Sequence, residues 1–359
     1  METVQIQAEK RSYPVIIGGG LRYQLADVLK EITADSSRFL LVVDEAVEAL
    51  YREETESQLA RLLPVSTYVM PSGEQSKSVE ELSRLWEFAA ESEMDRKSVF
   101  VALGGGVAGD LTGFAAAGYM RGVDYIQLPT TLLAQDSSVG GKTGINLRAG
   151  KNLAGAFHPP LAVIYDTQTL HTLPDAEWRS GFAEMIKHAY LDGEVFLQDL
   201  KARVQSVEDM KSPEVASWIK RSIEVKARIV EEDEREQGVR AFLNLGHTLG
   251  HALEKEMGYG RITHGEGVAA GLWFALAVSN YEGAGHWDLE KEKAWLESLG
   301  YPVDAPGGLS ADTLVEAMKR DKKASYGDIH YVLLEKPGKP LTAKVEENTI
   351  RQLLDRYYK

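Results

Sequence analysis

Ser98-Val-Phe-Val-Ala-Leu103 runs directly into Gly104-Gly-Gly-Val-Ala-Gly-Asp110, and a helix-compatible stretch begins near Val107. A strand, a glycine turn and a helix in that order bring a helix N-terminus to the point where a pyrophosphate binds. The glycines alone also suit an ordinary tight βα turn. Two blocks further on tip the reading: Pro129-Thr-Thr-Leu-Leu-Ala-Gln-Asp-Ser-Ser-Val-Gly-Gly-Lys-Thr-Gly-Ile-Asn146 and Gly150-Lys-Asn-Leu-Ala-Gly-Ala-Phe-His-Pro-Pro160. Paired threonines, an Asp-Ser-Ser and two glycine-flanked lysines, Lys142 and Lys151, are poor core material. They are good material for closing backbone N–H groups and ammonium ions on a phosphate, so a nucleotide beside an anionic substrate is expected. Both lysines read as loop residues.

Outward from this stretch, strand-like runs alternate with helical ones. Strands are predicted at Thr3–Ala8, Tyr13–Ile17, Arg38–Asp44, Val65–Met70, Ser98–Leu103, Tyr125–Leu128 and Leu161–Tyr165, with helices at Glu45–Leu63 and Ser78–Ser92. That alternation predicts an α/β layer with a mostly parallel sheet. After about Thr172 the texture turns to long amphipathic stretches, Pro174–Leu191, Ser212–Glu236, Ala241–Glu256 and Glu266–Tyr281. A hairpin is predicted where Ile329–Leu334 returns through Lys336-Pro-Gly-Lys339. The expected architecture is an α/β, Rossmann-like nucleotide-binding domain over 1–170 and a mainly α-helical metal- and substrate-binding domain over 171–359. The site is expected in the cleft separating them.

A chain of 359 residues is long for one hydrophobic core. No apolar run of membrane-spanning length occurs, and the N-terminus lacks a signal-peptide layout, so a cytoplasmic protein is expected. With no cysteine, any metal must be held by His, Asp or Glu. A net charge of −14 argues against nucleic acid or an anionic membrane as partner. Attraction of an anionic substrate must therefore be local.

The helical half holds the metal-ligating candidates. Glu184 lies in Gly-Phe-Ala-Glu-Met-Ile-Lys-His, with Lys187 and His188 three and four residues on; His247 and His251 lie in Gly-His-Thr-Leu-Gly-His; His264 opens His-Gly-Glu-Gly. A glutamate with two or three histidines suits Zn²⁺ or a similar divalent ion. The i, i+4 spacing of His247 and His251 puts both on one helix face, and spacing alone makes both of them ligands. His188 reads as a satisfied core histidine. Lys226 and Arg240 precede the histidine helix and are candidates for the same wall.

These blocks, together with Ser72-Gly-Glu-Gln-Ser-Lys77, Arg240-Ala-Phe-Leu-Asn-Leu-Gly-His-Thr-Leu-Gly-His251 and His264-Gly-Glu-Gly-Val-Ala269, resemble in order and over the whole chain the 3-dehydroquinate synthase family of sugar-phosphate cyclases. That family is related in fold to glycerol and iron-dependent alcohol dehydrogenases. The resemblance implies Glu184, His247 and His264 as ligands of Zn²⁺ or Co²⁺, leaving His251 to touch substrate or serve as acid/base. It implies NAD contacts at Asp44, Glu74, Lys77, Gly105, Gly106, Val107, Asp110, Thr130, Thr131 and Leu133, with Lys142, Lys151 and Thr172 bordering the cofactor. It further implies that Lys142, Asn152, Lys187, Lys226, Arg240, Asn244 and one of the pair Lys322-Lys323 serve the substrate, with Asp136 beside the ring. A homodimer is implied, with Arg121 reaching a neighbouring subunit's phosphate. The chain departs from the family after Asp44, where Glu45-Ala46 stands in place of an Asn two residues past the aspartate.

The implied reaction turns the sugar acid 3-deoxy-D-arabino-heptulosonate 7-phosphate into 3-dehydroquinate and phosphate by transient oxidation, phosphate elimination, reduction and aldol closure. A sister cyclase acting on glucose 6-phosphate or sedoheptulose 7-phosphate would need fewer cations for a carboxylate. A polyol dehydrogenase would accumulate NADH, and an inactive nucleotide-binding module would need no metal ligands.

Overall fold

The computed structural model describes residues 1–9, 11–236, 238–258, 261–304, 308–320 and 329–358. Lys322 and Lys323 therefore lie outside the described residues. The chain divides into two compact units, Met1–Leu173 with Ile219–Ala227, and Pro174–Trp218 with Arg228–Lys359.

The first unit runs β1 (Glu2–Ile6), β2 (Tyr13–Gly18), α1 (Leu25–Leu29), β3 (Phe39–Asp44), α2 (Glu45–Ala60), β4 (Val65–Met70), α3 (Val79–Glu91), β5 (Val99–Gly104), α4 (Gly106–Gly118), β6 (Asp124–Pro129), α5 (Ala134–Ser137), β7 (Lys142–Leu147), β8 (Gly150–Phe157) and β9 (Ala162–Asp166). Seven strands form one sheet in the order β1-β2-β9-β6-β5-β3-β4. All its pairings are parallel except β1 with β2. Every residue of β3 and β5 is buried, and alternate residues feed different cores. Phe39, Leu41, Val43, Val99, Val101 and Leu103 join Leu25, Leu29, Tyr51 and Leu59 of α1 and α2. Leu40, Val42 and Phe100 join Leu82, Leu85, Leu111 and Ala115 of α3 and α4. A sheet covered on both faces needs continuous apolar strands, which is why these runs do not alternate with polar residues.

The block carrying Lys142 and Lys151 differs from the loop expected. It forms an antiparallel hairpin, β7 with β8, bulged between Ile145 and Leu147. Its glycines serve cross-strand approach: a Cβ at Gly155 would stand 2.1 Å from the Thr143 carbonyl oxygen, and one at Gly144 2.7 Å from that of Ala154.

The second unit contains α6 (Asp175–Asp192), α7 (Glu194–Arg203), α8 (Val207–Met210), the ends of α9 (Val215–Glu232), α10 (His247–Met257), α11 (His264–Tyr281), α12 (Leu289–Ser298), α13 (Ala311–Lys319), the hairpin β10 (Ile329–Leu334) with β11 (Pro340–Val345), and α14 (Glu347–Tyr357). α11 is buried nearly all round from Gly265 to Ser279, as its apolar sequence demands. The single helix expected over Ala241–Glu256 is instead a 3₁₀ turn, Val239–Asn244, followed by α10. The break is Gly246, left-handed at φ 82°, where a Cβ would lie 2.8 Å from both Leu272 N and Val268 O of α11. No helix among the described residues is long and apolar enough to cross a membrane.

Candidate active site

In the first unit the strand order reverses at β3, which has β4 on one side and β5 on the other. Open α/β sheets bind ligands beyond the strand C-termini at such a point. Asp44 ends β3 there and Gly104 ends β5, so close that a Cβ on Gly104 would sit 2.9 Å from Asp44 Cβ. Two helix N-termini meet at this place. Asp44 caps α2 by accepting from Ala46 N at 3.0 Å, and Ser72 Oγ donates to the same carboxylate. α4 begins after Gly105 with no side-chain cap, leaving its first N–H groups free of a capping side chain.

The paired threonines lie against this turn. Thr130 N donates to Gly104 O at 2.9 Å, and a Cβ at Gly105 would meet Thr131 Cγ2 at 3.0 Å. The Thr130 and Thr55 hydroxyls are buried without a hydrogen-bond partner, and both line a cavity with Tyr51, Leu103, Leu128 and Ile164. Val107 stands in the first turn of α4, and Leu133 caps α5. Thr172 Oγ1 is 2.6 Å from the Tyr51 hydroxyl.

Beside the turn, buried Lys77 donates at 2.6 Å to both Asp110 Oδ2 and Asn152 Oδ1. Burial pushes the Asp110 carboxyl up, against the pull of Lys77. Asn146 Nδ2 donates to Glu74 Oε1 at 2.7 Å, while its Oδ1 accepts from Asn152 N at 2.8 Å. Asn152 takes a left-handed φ of 52°, a conformation that asparagine tolerates. Lys226 Nζ lies 3.1 Å from Asp136 Oδ2 and also donates to the Asp136 carbonyl. Lys142 is exposed on β7 and Lys151 half-buried on β8. Arg121 is exposed on the turn Tyr119–Arg121, where Met120 and Arg121 have φ 47° and 72°.

In the second unit, glycines set the metal-ligating candidates. A Cβ at Gly271 would sit 1.8 Å from Gly246 O, and one at Gly250 2.9 Å from Gly267 O, so α10 and α11 touch backbone to backbone. A Cβ at Gly265 would lie 2.2 Å from Ser180 O, which brings α11 equally close to α6. His247 and His264, the first residues of α10 and α11, consequently converge on Glu184 of α6. Glu184 Oε1 is 3.3 Å from His247 Nε2 and 3.0 Å from His264 Nε2, and the three donor atoms lie within 4.8 Å of one another.

The outer nitrogens decide which atoms face inward. His247 Nδ1 is 3.2 Å from Leu245 O, and His264 Nδ1 is 2.6 Å from Glu254 Oε1. Each acceptor takes an Nδ1–H, which leaves both Nε2 atoms for Glu184 or a cation. Burial pushes the His247 imidazole down to about 4. Burial also pushes His264 down, but the Glu184 and Glu254 carboxylates outweigh it and raise it to about 10. For Glu184, burial would raise the carboxyl; Lys187, with Nζ 2.5 Å from Oε2, and His247 hold it well below the usual range. One carboxylate and two imidazole Nε2 atoms, His264 giving up its extra proton as the ion binds, fit a divalent ion such as Zn²⁺.

His251 stands beside this set, its ring centroid 5.2 Å from that of His247, but the three donors that come together are Glu184, His247 and His264. The i, i+4 spacing correctly made neighbours of the two histidines, yet a ligand set is decided by which helices approach. His188 is fully buried on α6. Arg240 is buried; its N–H donates to Asp233 Oδ2 at 3.0 Å and its guanidinium to the Glu234 carbonyl. Asn244 Nδ2 lies 3.4 Å from Glu236 Oε1. Sequence reasoning missed Glu254, Asn146 and Tyr51. Only Glu254 had a local signal, seven residues after His247 on the same face of α10.

Sequence models of the 3-dehydroquinate synthase N-terminal and C-terminal regions match residues 67–180 and 181–324. The chain belongs to the 3-dehydroquinate synthase family. A 3-dehydroquinate synthase of Bacillus pumilus is 48% identical over 357 residues, covering 99% of this chain and 98% of the relative. Among solved structures, a 2-deoxy-scyllo-inosose synthase with carbaglucose-6-phosphate, NAD⁺ and Co²⁺ has TM-score 0.91 at 26% identity, covering 99% of this chain and 100% of that one. The 2-epi-5-epi-valiolone synthase of Streptomyces hygroscopicus, with NAD⁺ and Zn²⁺, has TM-score 0.86 at 26% identity, covering 98% of each chain. A probable glycerol dehydrogenase from Sinorhizobium meliloti, at 17% identity and TM-score 0.64 over 96% of this chain and 95% of its own, shares the fold.

Proposed function

We propose that this chain converts 3-deoxy-D-arabino-heptulosonate 7-phosphate to 3-dehydroquinate and inorganic phosphate, a carbon–oxygen lyase reaction of the shikimate pathway. The observation that carries the reading is the convergence of Glu184, His247 and His264 in a chain of this family. Those three side chains would hold Zn²⁺ or Co²⁺. NAD would bind in the first unit at Asp44, Glu74, Lys77, the Gly105–Gly106 turn, Val107, Asp110, Thr130, Thr131 and Leu133, with Lys142, Lys151 and Thr172 at its border. The N-terminus of α4, which no side chain caps, and the unpartnered Thr130 hydroxyl support that assignment. When bound, the metal supplies a Lewis acid for adjacent substrate hydroxyls and NAD a hydride acceptor that returns its hydride, so net redox is zero.

The protein's own share is charge and position. Lys142, Asn152, Lys226, Arg240, Asn244 and one of Lys322 and Lys323 are assigned to the substrate carboxylate and phosphate. Such contacts hold a flexible polyanion in one reactive geometry. Lys187 keeps Glu184 ionised, and Lys77 orients the Asn152 side chain by hydrogen bonding its oxygen. Asp136 restrains the Lys226 ammonium and would sit beside the ring, with His251 as a substrate contact or acid/base. The departing phosphate takes the proton itself, so no strong protein base is required.

A homodimer is part of the proposal, with Arg121, exposed on its left-handed turn, reaching the phosphate site of a neighbouring subunit. So is a cytoplasmic location. The test is a panel of three substrates with Zn²⁺ and NAD⁺: the heptulosonate phosphate, glucose 6-phosphate and sedoheptulose 7-phosphate. Phosphate release from the sugar acid alone supports the reading. Release only from a neutral sugar phosphate would move the chain to a sister activity.

A further inference from the structure

We infer that Glu254 is a positioning residue for the metal centre, fixing the tautomer and ring orientation of His264 through the ring nitrogen that faces away from Glu184. The inference rests on the metal reading above. Glu254 lies two turns along α10 from His247, whereas His264 opens the next helix, so the contact ties the C-terminal half of α10 to the metal end of α11. The carboxylate is buried, with 6% of the residue exposed, and Oε1 stands 2.6 Å from His264 Nδ1. A buried carboxylate is costly to hold without a donor. His264 Nδ1–H supplies one such donor, and once the ring is neutral the same hydrogen bond leaves Nε2, 3.0 Å from Glu184 Oε1, as the nitrogen open to a metal.

His247 offers the contrast. Its Nδ1 faces a backbone carbonyl, that of Leu245, which no side-chain substitution removes. The two histidines are thus oriented by acceptors of different strength, and the charged one serves the ligand that begins α11. Side chains that orient a metal-binding histidine typically change metal affinity 10–100-fold when removed. A merely structural Glu254 would change the stability of the metal-free protein and leave affinity alone.

The test uses the full chain as wild type, Glu254→Ala, Glu254→Gln and His264→Ala. Zinc affinity is read by competition with a chelator, melting temperature without metal, and the His264 tautomer from ring ¹⁵N shifts. Glu254→Ala should weaken zinc roughly 10–100-fold and shift the imidazole away from the Nδ1–H form. Glu254→Gln, whose amide oxygen still accepts but carries no charge, should lose less. If Glu254→Ala does not fold, Glu254→Gln decides: weaker zinc at an unchanged melting temperature supports positioning, and wild-type affinity overturns it. Wild-type affinity and tautomer in a folded Glu254→Ala likewise overturn it. Absence of zinc from the wild type would overturn the metal reading and this inference with it, whereas zinc lost in His264→Ala but kept in both Glu254 variants removes the inference alone.

Discussion

Replacing Gly271 by alanine adds one methyl group to a buried helix, and its two consequences should differ sharply in size. The new Cβ would stand 1.8 Å from Gly246 O, 2.8 Å from Gly246 C and 3.0 Å from Gly250 N. Comfortable heavy-atom contact is ~3.5 Å, so α10 and α11 must open by roughly 1.5 Å at this crossing. The obstacle is backbone, and no side-chain rotation relieves it. Alanine gains about 1 kcal/mol of helix propensity over glycine, while overpacking of a core costs about 1–3 kcal/mol. Net destabilisation is therefore modest, and the melting temperature should fall by only a few degrees. The site is affected far more, because His247 follows Gly246 directly and its Nε2 must stay near Glu184 Oε1, now 3.3 Å away. A misplacement of about 1 Å in a catalytic constellation costs on the order of 100-fold. Gly271→Ala should thus remain folded by calorimetry yet lose zinc in chelator competition and about two orders of magnitude in kcat/KM. A folded variant with wild-type zinc affinity and wild-type kcat/KM would refute the claim that glycine contacts hold the ligand set together.

Other substitutions separate the remaining roles. His264→Ala should lose zinc and activity together, and a variant that retains stoichiometric zinc by elemental analysis would remove His264 from the ligand set. Lys142→Ala should keep its zinc but lower kcat/KM by roughly 10²–10³-fold; an unchanged value would exclude a substrate role. Away from the site, the Ser37 hydroxyl and the Lys97 N–H hold the Asp95 carboxyl below its ordinary value. A depressed carboxyl contributes stability above about pH 4 that is lost as pH falls through its native value. Asp95→Asn should be less stable at neutral pH and lose less on acidification, read by urea unfolding from about pH 7 to about pH 3. An acid limb identical to the wild type would contradict that assignment.

The parts legible in the sequence are those decided by local pattern. β3 and β5 are six-residue apolar runs because both sheet faces are covered, and their limits were readable within a residue or so. The parts that were not legible depend on elements far apart in the chain. Gly144 and Gly155 read as loop glycines, but each is needed because the opposite strand approaches within a Cβ's reach. Gly246 breaks a helical pattern only because α11 lies against it. Glu184, His247 and His264 could be picked out by type, but the i, i+4 rule put His251 on an equal footing with His247, since it sees one helix and not the crossing of three. Glu254 resembled any acidic residue on an amphipathic helix until the start of α11 was placed against it.

Central to the proposed function is an oxidation that is undone within each turnover. The most direct measurement is phosphate released from 3-deoxy-D-arabino-heptulosonate 7-phosphate by zinc-loaded protein supplied with less NAD⁺ than enzyme, with NADH followed by absorbance. Phosphate exceeding the NAD⁺ many times over, with no NADH accumulating, is the predicted result. Phosphate capped at the amount of NAD⁺, or NADH rising in step with it, would contradict the account.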